Sequence, residues 1–133
     1  FDLQKFGDAA IGLHTSFHYS AAHDSDANRA FGAAMKKQAP DALRNYASIG
    51  AFDGMHVIQK MVEATDGKKD GAKAMAAIKG FAWESPRGPV KIDPKTRHIT
   101  QNVYLRTVER GSDGTLINKE IENFGPQVDH GLE

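Results

Sequence analysis

The sequence predicts an α/β chain in which helices come first and an antiparallel β-meander follows. Two observations carry that assignment. The apolar period changes from about 3.6 residues to about 2 near Trp83. Beyond that point the chain is punctuated by turn sequences, Asp93-Pro94-Lys95-Thr96 and Gly111-Ser112-Asp113-Gly114, each set between strand-forming segments.

Each element follows from local signals. Residues 9–19 (A-A-I-G-L-H-T-S-F-H-Y) read as extended, because Gly12, Thr15 and the aromatic spacing suit a strand better than a helix. A helix is predicted over 26–37, capped by Ser25 or Asp24, with Ala30, Phe31, Ala34 and Met35 facing inward. A second covers 45–65. Asn45 caps it, Asp66-Gly67 stops it, and Ala47, Ala51, Met55, Ile58 and Val62 recur at helical spacing. Ile49, Phe52 and Met61 widen that surface, so burial around much of the circumference is expected. A short alanine-rich helix follows over 70–79.

Strands are predicted over 89–93, 97–109 and 115–122. Val90 and Ile92 alternate with polar neighbours, Pro94 occupies the second turn position, and Ile99, Val103 and Leu105 share one face of the return strand. A bulge is expected near Thr100 to Asn102.

Composition narrows the function classes. Seventeen Lys plus Arg balance seventeen Asp plus Glu, which argues against nucleic-acid binding driven by phosphate neutralisation. No run approaches the roughly 20 apolar residues of a membrane span. The absence of Cys excludes disulfides and thiol catalysis without fixing a compartment. No Ser-His-Asp order, paired-carboxylate motif or Gly-rich phosphate loop stands out, so neither an enzyme nor a cofactor is expected.

Four segments, G-D-A-A-I-G at Gly7–Gly12, D-A-N-R-A-F at Asp26–Phe31, Y-A-S-I-G-A-F-D-G-M at Tyr46–Met55 and F-A-W-E-S-P-R-G-P-V-K-I-D at Phe81–Asp93, together carry a resemblance. In that order and spacing they resemble the C-terminal portion of the branched-chain amino-acid-binding (type I) periplasmic solute-binding proteins, the receptors of ABC importers. The resemblance runs from about Gly7 to Phe124, and the G-P-V-x-I-D-P hairpin with its V-Y-L-R strand is its most specific part. It implies a fragment of a two-lobed α/β receptor. Residues 14–84 would supply a hinge strand and helices of the first lobe, and residues 85–133 the strands returning to the second. Periplasmic location, a small-molecule solute and an ABC permease as partner are likewise what the resemblance implies. The lack of a βαβ unit, and an opening F-D-L-Q-K-F with neither initiator Met nor signal peptide before it, lead us to expect a piece of a longer protein. Such a piece, with uncovered apolar helices, should associate with copies of itself.

Tyr46 is the first ligand-binding candidate, because the resemblance places the start of this helix on the wall of the solute cleft. A phenol offers a flat apolar face and one hydroxyl, although an aromatic residue here can equally be packing. Phe17, His18 and Tyr19 come next, at the passage through the implied interlobe hinge, with hinge packing as the alternative reading.

His14, His18 and His23, with Asp24 and Asp26, raise the idea of a metal site. The H-x3-H spacing converges only on a helix; in a strand the two rings stand roughly 13 Å apart, so no metal is expected. Lys36-Lys37 and Lys68-Lys69 read as solvated helix-end charges, and Trp83 beside Phe81 as packing. Asp53 matches a common acidic position of the family helix, with a hydrogen bond to neighbouring backbone as its expected role.

Two function classes result. The first is solute capture for import, with amino acids, amides, aromatic acids and other carboxylates all compatible. The second is a sensory module on the same binding fold, reporting a small molecule to a regulator.

Overall fold

The computed structural model describes residues 3–128. A 3-10 segment, Leu3–Ala10, precedes strand β1 (His14–Phe17). Helices α1 (Asp26–Gln38), α2 (Tyr46–Thr65) and α3 (Gly71–Ile78) follow, and then strands β2 (Ala82–Ser85), β3 (Gly88–Ile92), β4 (Ile99–Arg110) and β5 (Leu116–Gln127). The predicted order of helices and then meander is the observed one. Two boundaries differ. Ala9 and Ala10 finish the 3-10 segment instead of opening the strand, and β2 is a strand where only packing aromatics were expected.

The helix ends are set locally. The Ser25 side chain accepts from the Asn28 amide at the start of α1. Asn45 and Ser48 cap α2 reciprocally, and Asp66 adopts a left-handed conformation (φ 52°) that stops it. Asp70 caps α3 through the Lys73 amide at 2.9 Å. In the β3–β4 turn, Asp93 Oδ1 accepts from the amides of Lys95 and Thr96, each at 2.8 Å.

All five strands form one antiparallel sheet. Along one edge of β4 its first residues pair with β3 (Gln101 with Val90) and its later ones with β1 (Tyr104 with Phe17). The other edge carries β5, with register shifts between Asn102 and Tyr104 and between Leu105 and Arg106. The sheet therefore draws on strands from both sides of the expected lobe boundary at residues 84 and 85.

Burial corrects two expectations on the helices and shows which side chains of β4 turn inward. On α2 the buried residues are Ile49, Asp53 and Thr65, while Met55 (61%), Ile58 (49%) and Val62 (51%) stay exposed. The apolar stripe exists, but no described element packs on it; α2 meets α3 and the β2–β3 hairpin with its other side. On α1 Phe31 is buried and Met35 half-buried, whereas Ala30 and Ala34 face water. On β4 the fully buried side chains are Asn102, Tyr104 and Val108, with Ile99, Val103 and Leu105 only half-buried.

Two apolar clusters result. Ala10, Val108 and Leu116, with Leu3 against them, close the end of the sheet. Tyr19, Phe31 and Ile49, joined by Met35, hold α1 and α2 to the segment after β1. No helix of the described residues is long and apolar enough to cross a membrane.

Candidate functional site

Where β1 ends and α2 begins, the chain assembles an aromatic shelf over a buried polar network. Phe17 meets Tyr46 edge to face with ring centroids 6.2 Å apart, and lies against the neighbouring His18 at 4.2 Å. The Tyr46 ring is 59% exposed. It stands on the first turn of α2, whose amides are partly satisfied by the Asn45 cap. Thus three of the four predicted binding candidates, Tyr46, Phe17 and His18, come together.

The fourth, Tyr19, turns away. It is 3% exposed, packs with Phe31 and Ile49, and donates from its hydroxyl to Asn28 Oδ1 at 3.1 Å. Burial pushes its pKa up to about 12, with Glu120 adding to the rise and Arg44 opposing it. Tyr19 therefore supports the shelf from beneath; it lies beyond the end of β1, where strand alternation no longer sets the side, and its ring is held by Phe31 and Ile49.

Below the shelf, Asp53 of α2 gathers three donors from the β2–β3 hairpin. Trp83 Nε1 and Ser85 Oγ each donate at 3.0 Å, and Arg87 Nη2 lies 2.8 Å from Oδ2. These partners replace the expected bond to neighbouring backbone. Arg87 also donates to Gln101 Oε1, while its Nε is buried without a partner. The Arg87 carbonyl accepts from the Tyr104 hydroxyl at 2.9 Å. Trp83 is more than packing, since its ring stacks on Phe81 while its N–H fixes Asp53.

Gly88, at φ +95°, lets the hairpin turn close over Tyr104; a Cβ there would lie 2.5 Å from the Tyr104 hydroxyl oxygen.

Electrostatically the shelf sits beside two guanidiniums. Burial lowers the His18 pKa to about 4, Arg87 and Arg106 push it in the same direction, and Asp53 opposes them. His18 is therefore a neutral imidazole at ordinary pH, able to donate from one nitrogen and accept at the other. Arg106 lies over the Phe17 ring, 5.2 Å from its centroid. Its Nη1 donates to the Tyr19 carbonyl at 2.6 Å and its Nη2 to Thr15 Oγ1 at 3.0 Å. Arg87 and Arg106 were not singled out from the sequence; the signal available was the Pro86-Arg87-Gly88 turn and the V-Y-L-R strand, without their partners.

His14, His18 and His23 do not converge. His23 pairs with Glu120 at 2.7 Å, and among the described residues no group of three metal-ligating side chains is close enough to hold an ion.

Comparison with known proteins gives consistent matches. The family model described as periplasmic binding protein matches residues 2–115. Leu/Ile/Val-binding protein homolog 6 of Brucella abortus (strain 2308) is 55% identical over 133 residues, covering 99% of this chain and 34% of that protein. The chain thus spans about a third of the length of the curated relatives it matches. Among solved structures, the solute-binding protein of an ABC transporter from Rhodopseudomonas palustris HaA2, in complex with p-hydroxybenzoic acid, superposes with a TM-score of 0.91 at 51% identity, over 98% of this chain and 36% of that one. A second R. palustris solute-binding protein, in complex with 4-hydroxybenzoate, superposes at 0.90 with 53% identity and the same coverage. A third, from strain BisB5 with 3,4-dihydroxybenzoic acid, reaches 0.89 at 46% identity, over 96% of this chain and 34% of that one.

Proposed function

The chain belongs to the periplasmic binding protein family, and on that premise we propose that it is part of the extracytoplasmic solute receptor of an ABC importer whose solute is an aromatic carboxylate of the hydroxybenzoate class. The receptor captures the solute between two lobes and delivers it to a membrane permease. The helices belong to the first lobe, and the strands after residue 84 lead back to the second.

The observation that carries this reading is the aromatic shelf. Tyr46 and Phe17 present ring faces and edges to a flat solute, and neutral His18 beside them can exchange a hydrogen bond with a phenolic hydroxyl. An aliphatic side chain would use the apolar area but not the stacking geometry. The hydroxybenzoates held by the R. palustris relatives at 51% and 53% identity support the same class. The share of solute contacts made here is one wall, so closure of the lobes is what completes the site.

Calorimetry on the full-length receptor carrying this segment tests the reading. Titration with 4-hydroxybenzoate, 3,4-dihydroxybenzoate and leucine should give micromolar or tighter binding for the aromatic acids and at least about 100-fold weaker binding for leucine. Tight leucine binding with no response to either aromatic acid would overturn it.

A further inference from the structure

We propose that this wall receives the uncharged, hydroxyl-bearing end of the solute, with His18 as the residue that selects for the hydroxyl and the carboxylate held elsewhere in the receptor, a deepening that rests on the solute class proposed above. The charges at this face are already matched. Arg87 Nη2 lies 2.8 Å from Asp53 Oδ2, and its Nη1 donates to Gln101. Arg106 stands opposite Glu120 in the β4–β5 ladder, where burial works against its charge and the Glu120 carboxylate favours it. The two η nitrogens of Arg106 donate into the chain, to the Tyr19 carbonyl and Thr15 Oγ1. At the start of α2 the amides of Ala47 and Ser48 already donate to Asn45 Oδ1. A solute carboxylate placed here would lose water and find each guanidinium already opposed by a protein carboxylate, which leaves its desolvation uncompensated.

A hydroxyl asks for less. A phenol, with a pKa of about 10 as in tyrosine, is neutral at ordinary pH and carries both a donor and an acceptor. His18 offers the complement. Neither of its ring nitrogens has a hydrogen-bond partner among the described residues, and neither is among the unpartnered polar atoms sealed from water. Burial, Arg87 and Arg106 all oppose its protonation, with Asp53 acting the other way, so one nitrogen donates and the other accepts. Closure of the lobes removes water from this ring, and a nitrogen left unpaired then costs affinity that a solute hydroxyl restores.

The imidazole belongs to the surface on which a flat ring would rest. It lies against Phe17 with centroids 4.2 Å apart, and Phe17 in turn meets Tyr46 at 6.2 Å. His18 is half-buried and so held before a solute arrives, whereas Tyr46 is largely exposed. In 4-hydroxybenzoate the hydroxyl and the carboxylate stand at opposite ends of the ring. With the hydroxyl at His18, the carboxylate points away from this face, towards the wall that lobe closure supplies.

The competing role for His18 is packing against Phe17, and the experiment separates the two. Affinities of the full-length receptor are measured by calorimetry for 4-hydroxybenzoate and for benzoate, which lacks only the hydroxyl, in wild type, His18→Phe and His18→Gln. Wild type should prefer 4-hydroxybenzoate by at least about tenfold, the scale of a hydrogen bond whose loss leaves a buried group unpaired. His18→Phe should weaken 4-hydroxybenzoate by about that factor and leave benzoate within about threefold, and His18→Gln should fall between because it keeps a donor and an acceptor. Equal weakening of both acids would make His18 a packing residue and overturn the proposal. So would a wild-type receptor that binds the two acids alike, a result that needs no variant to fold and leaves the aromatic-carboxylate class standing. A crystal structure of the full-length receptor with 4-hydroxybenzoate should show the phenol oxygen on a His18 ring nitrogen; the carboxylate in that place would overturn the orientation. A wild-type receptor that binds no aromatic acid would overturn the solute class itself, and this inference with it.

Discussion

Arg87 Nη2 lies 2.8 Å from Asp53 Oδ2, and the two side chains are 7% and 3% exposed. This pair joins the β2–β3 turn to the buried side of α2, and Trp83 and Ser85 complete the set of donors to the carboxylate. Removing one partner leaves the other as an uncompensated buried charge. Asp53→Ala should lower the urea-unfolding stability of the full-length receptor by about 3 to 5 kcal/mol. The double variant Asp53→Ala with Arg87→Met should lose less than the sum of the two single losses. Simple additivity in the double-variant cycle would show that the pair does not act as a unit.

Gly88 is a second structural point with a defined cost. Gly88→Ala should destabilise by about 2 to 4 kcal/mol, because it forces a Cβ onto the Tyr104 hydroxyl at a positive φ. Tyr104→Phe alone should cost about 1 kcal/mol for the bond to the Arg87 carbonyl, and combined with Gly88→Ala it should recover part of the loss. Full tolerance of alanine at 88 in thermal denaturation would contradict the closeness of the turn.

His18 gives a pH dependence with a fixed sign. Its folded-state pKa of about 4 lies below the ordinary 6.5. Between those values the unfolded chain binds a proton that the folded chain refuses, so this residue's contribution is intact above 6.5 and is lost as pH falls towards 4. Imidazole carbon shifts recorded by NMR should show His18 still neutral at about pH 5.5, where free histidine is mostly charged. A midpoint near 6.5 would mean the ring is solvated.

Tyr46 separates binding from folding. Tyr46→Ala should weaken binding of 4-hydroxybenzoate by about 1 to 3 kcal/mol, with little change in the melting temperature of the unliganded receptor. Its exposure of 59% is the reason: little of the ring is buried before a solute arrives. Intact affinity with a sharp fall in unliganded stability would make it packing.

The uncovered stripe of α2 predicts self-association of the 133-residue chain alone. Met55, Ile58 and Val62 should pair between copies, since each apolar square ångström left in water costs roughly 25 cal/mol. Light scattering at tens of micromolar should give more than the monomer mass, and Met55→Glu with Ile58→Lys should restore the monomer. A wild-type monomer under those conditions would refute it.

Helix ends were readable because their signals are local. Asn45, Ser48 and Asp66-Gly67 act within one turn of α2, and Asp93 and Asp113 organise their turns through neighbouring amides. Strand β2 was not, because Trp83 and Glu84 become a strand only when Pro86-Arg87 turns and Gly88 takes a positive φ. The inward face of α2 was misread for a related reason: periodicity locates an apolar stripe but cannot say whether the same chain supplies its cover. Tyr46, Phe17 and His18 were each visible as aromatic or titratable residues near element ends. Arg87 and Arg106 draw their meaning from Asp53, Gln101, Thr15 and Tyr19, partners in other elements, and no local pattern marks them.

The placement of β1 has a kinetic consequence. His14 pairs with Thr107, so completing this ladder encloses all three helices and the β2–β3 hairpin in one loop. Local units, the capped helices and the β3–β4 and β4–β5 turns, can form without waiting for distant chain. The β1–β4 ladder cannot, because loop closure must be met before its hydrogen bonds contribute. Docking of β1 should therefore be the late event in refolding, and when the chain is pulled from its amino-terminal side this ladder should open next after the contacts of Leu3–Ala10 with β5.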